Sequence, residues 1–150
     1  MGLQLKIIDK GYKKFVSEIK NFDKNPKVKI GILEGNADRV DGKDNVDLMT
    51  KHEYGVGVPQ RSVIRAGTDS NIDNIFNNTI VDQYDKIIIG HSNVIEMVNK
   101  TGAVVKTKFR ERFSTKYLEP NAPFTIAKKG SDVPLVETGE LKDTINYKVE

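Results

Sequence analysis

The stretch VKIGIL at residues 28–33 decides the fold class, because it is the clearest strand pattern in the sequence. Val28, Ile30 and Ile32 alternate with other residues at a period of two, which places them on one face of a β-strand. The stretch TINYKV at residues 144–149 repeats the alternation near the other end of the chain. Two such strands predict a small, mostly antiparallel sheet.

Outside the strands, apolar residues recur at the three- and four-residue spacings that are typical of amphipathic helices. The predicted helices span residues 5–22, 46–54, 70–86 and 93–119. Gly102 lies inside the last of them and indicates either a kink or a close helix contact. Helices that cover a small antiparallel sheet, joined by long irregular loops, give an α+β fold.

In the first predicted helix, Tyr12 and Ile19 belong to the apolar stripe, whereas Glu18 falls on the opposite, polar face. A length of 150 residues without internal repeats predicts a single domain over residues 1–150. Residues 36–44 are predicted to form a mobile loop. Its spaced aspartates allow a calcium site as an alternative, although they do not follow the EF-hand pattern.

Two segments lack periodicity and are rich in proline or glycine. Residues 55–67 are predicted to be irregular, and residues 120–140 are predicted to form an extended arm. An irregular segment as long as the second is uncommon in a compact domain, and such segments often carry function. We therefore expect both segments to contact other proteins.

The composition excludes several classes of chemistry. The chain has no cysteine, which rules out disulfides, thiolate metal sites and cysteine nucleophiles. Only two histidines are present, and no phosphate-binding loop or nucleophile elbow occurs. No apolar run approaches the ~18 residues of a membrane span. The sequence predicts a soluble protein that is not an enzyme and has no cofactor and no metal. A small enzyme with an unrecognised site is the alternative, which requires a deep apolar pocket.

The net charge of +3 is small, but basic residues crowd one segment. Phe109 and Phe113 lie among these charges, at a spacing that indicates burial in the core or stacking on nucleic-acid bases. A small basic nucleic-acid-binding protein is therefore an alternative. The candidate basic residues are Lys106, Lys108, Arg110, Arg112 and Lys116.

Four pieces of the chain, in order, carry a resemblance to a known family. They are VKIGILEG at 28–35, MTKHEYG at 49–55, VPQRSVIR at 58–65 and NAPFTIAKKGSDVPLVETGELKDTI at 121–145. Together they cover about half the chain, and the last is the most specific. The sequence resembles the tail-completion and virion-morphogenesis proteins of tailed bacteriophages.

This resemblance implies a structural subunit of the phage neck, which joins the head to the tail. Such a protein is expected to form a ring around the DNA channel, six copies being the expected number. Its other partners would be the head-connector or stopper protein and the tail terminator or tail tube protein. The protein would be made in the host cytoplasm and end up in the neck or tail of the virion. A tail terminator or a head-closure ring is an alternative within the same class.

A ring of identical subunits needs two different contact patches on each copy. The two irregular segments supply the candidates, and the basic segment would face the channel or a neighbouring subunit. The candidate interface residues are Tyr54, Val58, Pro59, Arg61, Ile64, Arg65, Asn121, Pro123, Phe124, Thr125, Ile126, Lys128, Lys129 and Asp132.

Overall fold

A computed structural model describes residues 9, 11–33, 42, 44–114, 116–136 and 138–150 of the chain. Eight α-helices, one π-helical segment and two strands make up these residues. Their order is α1 (Tyr12–Asp23), β1 (Val28–Ile32), α2 (Asn45–Tyr54), α3 (Ile64–Asp69), α4 (Ile72–Ile75), the π-helical segment (Phe76–Val81), α5 (Asp82–Ile88), α6 (Val94–Glu111), α7 (Pro123–Lys129), α8 (Glu140–Thr144) and β2 (Ile145–Val149).

The sheet consists of β1 and β2 alone within the described residues, and the two strands are antiparallel. Val28 pairs with Val149 and Ile32 pairs with Ile145. Backbone hydrogen bonds between Lys27 and Glu150 extend the ladder by one residue pair. The α+β prediction is confirmed, and both predicted strands are in place.

The long helix α6 packs across this sheet, and Gly102 makes the close approach possible. A Cβ atom at position 102 would overlap the ring of Tyr147 and would lie 2.9 Å from Cγ2 of Val28. The helix runs through this position without a break. Gly102 therefore marks a close contact of the helix and not a kink.

The buried apolar side chains form two clusters, one toward each end of α6. The cluster at its N-terminal end consists of Ile87, Val94 and Val98. The larger cluster, at its C-terminal end, contains Met49, Val63, Phe109, Phe113, Leu118, Leu141 and Ile145. At ~1.5 Å per residue, the 18 residues of α6 form a helix about 27 Å long.

The polar face predicted for α1 was partly wrong. Glu18 is buried, and its carboxylate accepts a hydrogen bond from the N–H of Val94 at 3.0 Å, at the start of α6. Tyr12 and Ile19, which were assigned to the apolar stripe, are exposed. Hydrogen bonding to a helix end therefore overrides the simple division into apolar and polar faces.

Several predicted boundaries also need correction. The predicted helix over 70–86 is found at 72–88, and its middle is π-helical. The helix from 93 begins as expected, with the Asn93 side chain accepting from the N–H of Glu96, but it ends at Glu111 instead of 119. Of the two segments predicted to be irregular, 55–67 includes the start of α3 and 120–140 contains α7.

The predicted mobile loop over 36–44 falls outside the described residues except at positions 42 and 44. Asp44 begins α2, because its side chain accepts a hydrogen bond from the N–H of Val46 at 2.7 Å. In the described part of the chain, no helix is long and apolar enough to cross a membrane.

Candidate functional site

The segment between α2 and α3 folds back along α2. Gly55 ends α2 with φ of 73°, a left-handed conformation that favours glycine. The N–H of Arg61 then donates to the carbonyl of His52 at 2.8 Å. These contacts place residues 55–63 beside the helix that precedes them.

Glu53 holds the start of α3 in place. Its carboxylate accepts hydrogen bonds from the Ser62 hydroxyl at 2.6 Å and from the N–H groups of Val63, Ile64 and Arg65 at 2.9, 3.1 and 2.8 Å. Burial of the carboxyl raises the pKa of Glu53, but the four hydrogen bonds outweigh it and lower the pKa below its usual range. The ionised Glu53 thus satisfies the free N–H groups at the helix start.

Arg61 connects this segment to the C-terminal part of the chain. Its side chain is buried, with Nε donating to the carbonyl of Glu119 at 3.0 Å and Nη2 donating to that of Pro120 at 3.1 Å. Glu119 and Pro120 follow Arg61 in the sequence by 58 and 59 residues. Arg61 therefore fixes where the predicted arm begins.

The arm over 120–140 closes on itself. The Nδ2 group of Asn121 donates to the carbonyls of Ser131 and Val133 at 3.3 and 3.1 Å, and Nζ of Lys129 donates to Val133 at 2.8 Å. Inside this closed loop lies α7, with a proline in its first turn and Gly130 at its end. The prediction of an extended irregular arm is thus corrected to a hydrogen-bonded loop that contains a helix.

A cavity of about 680 Å³ lies between α2, the segment 58–61, the arm and α8. This volume falls within the ~300–1,000 Å³ that is usual for binding pockets. Six of the candidate interface residues line it, namely Val58, Pro59, Arg61, Asn121, Thr125 and Lys129. We refer to it as the Arg61 cavity.

His52 lies at the wall of the Arg61 cavity. Burial lowers the pKa of His52 and the nearby charge of Arg61 lowers it further, while a hydrogen bond to the Pro59 backbone opposes both. The imidazole is therefore neutral at pH 7, and its buried Nδ1 has no hydrogen-bond partner within the described residues. Sequence patterns gave no sign of these roles for His52 and Glu53, since their partners lie 7 to 12 residues away.

The remaining interface candidates are divided between two surfaces. Tyr54, Ile64 and Arg65 line a second pocket of about 360 Å³, on the side of α2 that faces β1. The Arg65 guanidinium lies 5.8 Å from the centre of the Tyr54 ring. Around α7, Pro123, Phe124, Lys128 and Asp132 are exposed and Ile126 is half-buried. Phe124 is 82% exposed.

Two residues of the basic segment face β2. The Nζ group of Lys106 donates to the Asn146 side chain at 3.3 Å. The Nη2 group of Arg110 donates to the carbonyls of Asp143 and Ile145 at 2.7 and 3.0 Å. These cations are therefore engaged with the C-terminal strand and the helix before it.

The other basic residues point in different directions. The Nε group of Arg112 donates to the carbonyl of Ser62 at 3.3 Å, and Lys108 forms an ion pair with Glu111 at 2.9 Å. Lys116 is exposed, whereas the other four basic residues are half-buried. The five candidates do not lie on one continuous basic face.

No constellation of metal ligands was found in the portion of the chain that the structure describes, counting groups of three or more histidine, cysteine, aspartate or glutamate residues. The Arg61 cavity is lined by apolar and polar residues in equal number, eight of each, and the polar ones include the charged residues Arg61, Glu119, Lys129 and Glu140. The chain matches no protein-family model, no curated protein and no solved structure.

Proposed function

We propose that this chain is an assembly subunit of the neck of a tailed bacteriophage, a tail-completion protein that forms a ring with copies of itself. The observation that carries the proposal is the Arg61 connection. It joins residues 55–63 and 119–141 into one surface with an open cavity and an exposed aromatic residue. An exposed surface of this kind is typical of a protein-binding site.

The placement of the family-like pieces supports the same proposal. The piece at 49–55 includes the end of α2, the piece at 58–65 contains Arg61, and the piece at 121–145 contains the arm. All three contribute residues to the Arg61 cavity. Residues that resemble a family of ring proteins and that meet at one surface are what a contact between ring subunits requires.

A tail terminator or head-closure ring would use the same kind of surface, and the neighbours of the ring distinguish these versions. No observation on the described residues favours the alternative of a small basic nucleic-acid-binding protein. Phe109 and Phe113 are buried in the core, so neither is accessible to stack on bases.

Electron microscopy and mass spectrometry of virions of the phage that encodes this chain test the proposal. We expect the protein in every virion, as a ring between head and tail. Its absence from virions, or its location outside the neck and tail, would refute the proposal.

A matched pair of variants tests the surface in the purified protein. Phe124→Asp places a charge on the arm, whereas Tyr12→Asp makes a similar change at an exposed aromatic residue in the first turn of α1. Native mass spectrometry should show that Phe124→Asp reduces ring formation and that Tyr12→Asp does not. Equal effects of the two variants would contradict a role for this surface.

A further inference from the structure

An apolar ridge runs along the outer face of α5 and its two flanking residues, and Tyr84 of this ridge has one ring contact in the described part of the chain, with Phe22 at 6.0 Å between ring centroids. Val81, Tyr84, Ile88 and Ile89 are all exposed, Ile89 by 63%. They recur at spacings of three, four and one, so they form a stripe along one side of the helix. Single exposed apolar residues are ordinary, but a contiguous stripe marks an interaction surface.

Asp85 lies within this ridge and has an unused carboxylate. Its backbone carbonyl accepts from the N–H of Ile89, but its side chain has no hydrogen bond or ion pair with any described residue. The neighbouring Asp82 differs, because Lys86 and Lys100 hold its carboxylate and lower its pKa to about 2. Asp85 thus places a carboxylate that no described residue pairs with among exposed apolar side chains.

The Arg61 cavity has the complementary chemistry. Arg61 is a buried cation whose known partners are two backbone carbonyls, and no carboxylate of a described residue lies within ion-pair distance. Its Nη1 group makes no hydrogen bond in the same part of the molecule. Glu119, Glu140 and Lys129 also line the cavity, but they are exposed or half-buried. A carboxylate forms charge-assisted hydrogen bonds with a guanidinium, which are stronger than those of a neutral carbonyl.

Leu48, Val58, Leu135 and Leu141 supply apolar walls to the same cavity. An occupant that carries one carboxylate between apolar side chains would therefore match both the charge and the lining. The ridge of α5 has this composition.

We propose that the α5 ridge of one copy docks into the Arg61 cavity of the next copy, with Asp85 facing Arg61 and Ile88 and Ile89 against the apolar walls. The ridge lies beside the core cluster at the N-terminal end of α6, and the cavity lies beside the cluster at its C-terminal end. The contact therefore joins two different patches, which is the head-to-tail interface that closes a ring. This inference deepens the proposed function and rests on the ring that it assumes.

The absence of native cysteines makes the contact directly testable. We would prepare Ile88→Cys and Val58→Cys as separate variants, mix them and oxidise the mixture. We expect a disulfide-linked heterodimer, and a ladder of linked oligomers when one chain carries both substitutions. Tyr12→Cys mixed with Val58→Cys is the control pair. No heterodimer, or as much heterodimer in the control mixture, would overturn the inference.

A charge reversal gives a second measurement on a residue that the fold does not use. Asp85→Lys should weaken self-association, measured by sedimentation, by at least about tenfold, because it places a cation opposite a buried Arg61. Asp69→Lys, at an exposed acid on α3, should leave association unchanged. Association that is unaffected by Asp85→Lys would also overturn the inference.

The outcomes separate this inference from the proposed function. A protein found in the virion neck whose Ile88 and Val58 cysteines do not cross-link retains the function and excludes this contact. Cross-linking in a protein that is absent from virions establishes the contact and excludes the neck function.

Discussion

The two ends of α6 are built in different ways. At the N-terminal end, beside the smaller apolar cluster, Glu18 accepts one hydrogen bond from the N–H of Val94, and Ser92 donates one to the Gln83 side chain. At the C-terminal end, Glu53 accepts four hydrogen bonds and Arg61 donates two, all but one of them with backbone groups. The second region is therefore held by polar side chains that each act on a distant segment, and it contains the candidate site.

We expect the largest loss of stability, and the clearest difference between the two ends of α6, when the Glu53 side chain is removed. Glu53→Ala leaves three backbone N–H groups, one buried and two part-buried, and a hydroxyl without their acceptor, so we expect the free energy of unfolding to fall by about 3 kcal/mol. Glu18→Ala, which frees a single N–H, should cost about 1–2 kcal/mol. Urea denaturation of both variants measures the difference. Equal losses in the two variants would show that the four hydrogen bonds of Glu53 stabilise the fold no more than the single hydrogen bond of Glu18.

Arg61 provides the next largest effect. Arg61→Met keeps much of the apolar stem but removes the hydrogen bonds to Glu119 and Pro120, so we expect a loss of about 2 kcal/mol. Hydrogen exchange should become faster across residues 119–136 and stay unchanged in α5. Uniform acceleration over the whole chain would argue against a local role for Arg61.

Gly102 tests the contact between helix and sheet that both ends share. Gly102→Ala forces a Cβ atom onto the Tyr147 ring, and we expect a net loss of about 1–2 kcal/mol although alanine favours the helix. Thermal unfolding gives the measurement. In the Tyr147→Ala background, Gly102→Ala should cost less than in the wild type, and an undiminished cost would contradict the steric explanation.

We expect the smallest change in stability at His52, and this change depends on pH. Its pKa is lower in the folded protein than the usual histidine value of 6.5, so the unfolded chain binds more protons in the pH window between the two values. Stability is therefore complete above pH 6.5 and decreases as the pH falls toward the folded-state pKa. His52→Gln should remove this part of the pH dependence, whereas the change at exposed His91, His91→Gln, should retain it. Identical pH profiles for the wild type and His52→Gln would contradict the assignment.

Sequence patterns correctly predicted those helices and strands whose residues follow a regular spacing of apolar side chains. The two strands, α2 and the start of α6 at Asn93 all follow from alternation, helical spacing or a capping residue. Gly102 was predicted to mark either a kink or a close helix contact, because glycine is unfavourable inside a helix without such a reason. The C-terminal end of α6 was predicted too far along, since Phe113 keeps the helical spacing although it packs from a turn.

The candidate site could be predicted only in part. Arg61 and Asn121 were selected through the family resemblance, and both prove to hold backbone carbonyls. Glu53 and His52 were missed because a side chain that bonds to a distant backbone leaves no periodic trace. The short helices α3 and α7 were missed for a related reason. Their starts are fixed by a distant carboxylate in one case and by a closed loop in the other.

The π-helical segment over Phe76–Val81 has a geometric consequence for α5. The buried residues Ile75, Thr79, Gln83 and Ile87 follow one another in strict steps of four. In a regular α-helix, each such step overshoots a full turn by about 40°, so three steps would carry Ile87 about a third of a turn away from Ile75. The wider π turn absorbs part of this drift. The buried side of the helical stretch from Ile72 to Ile88 therefore rotates less than it would in a regular α-helix, and its solvent side rotates less by the same amount.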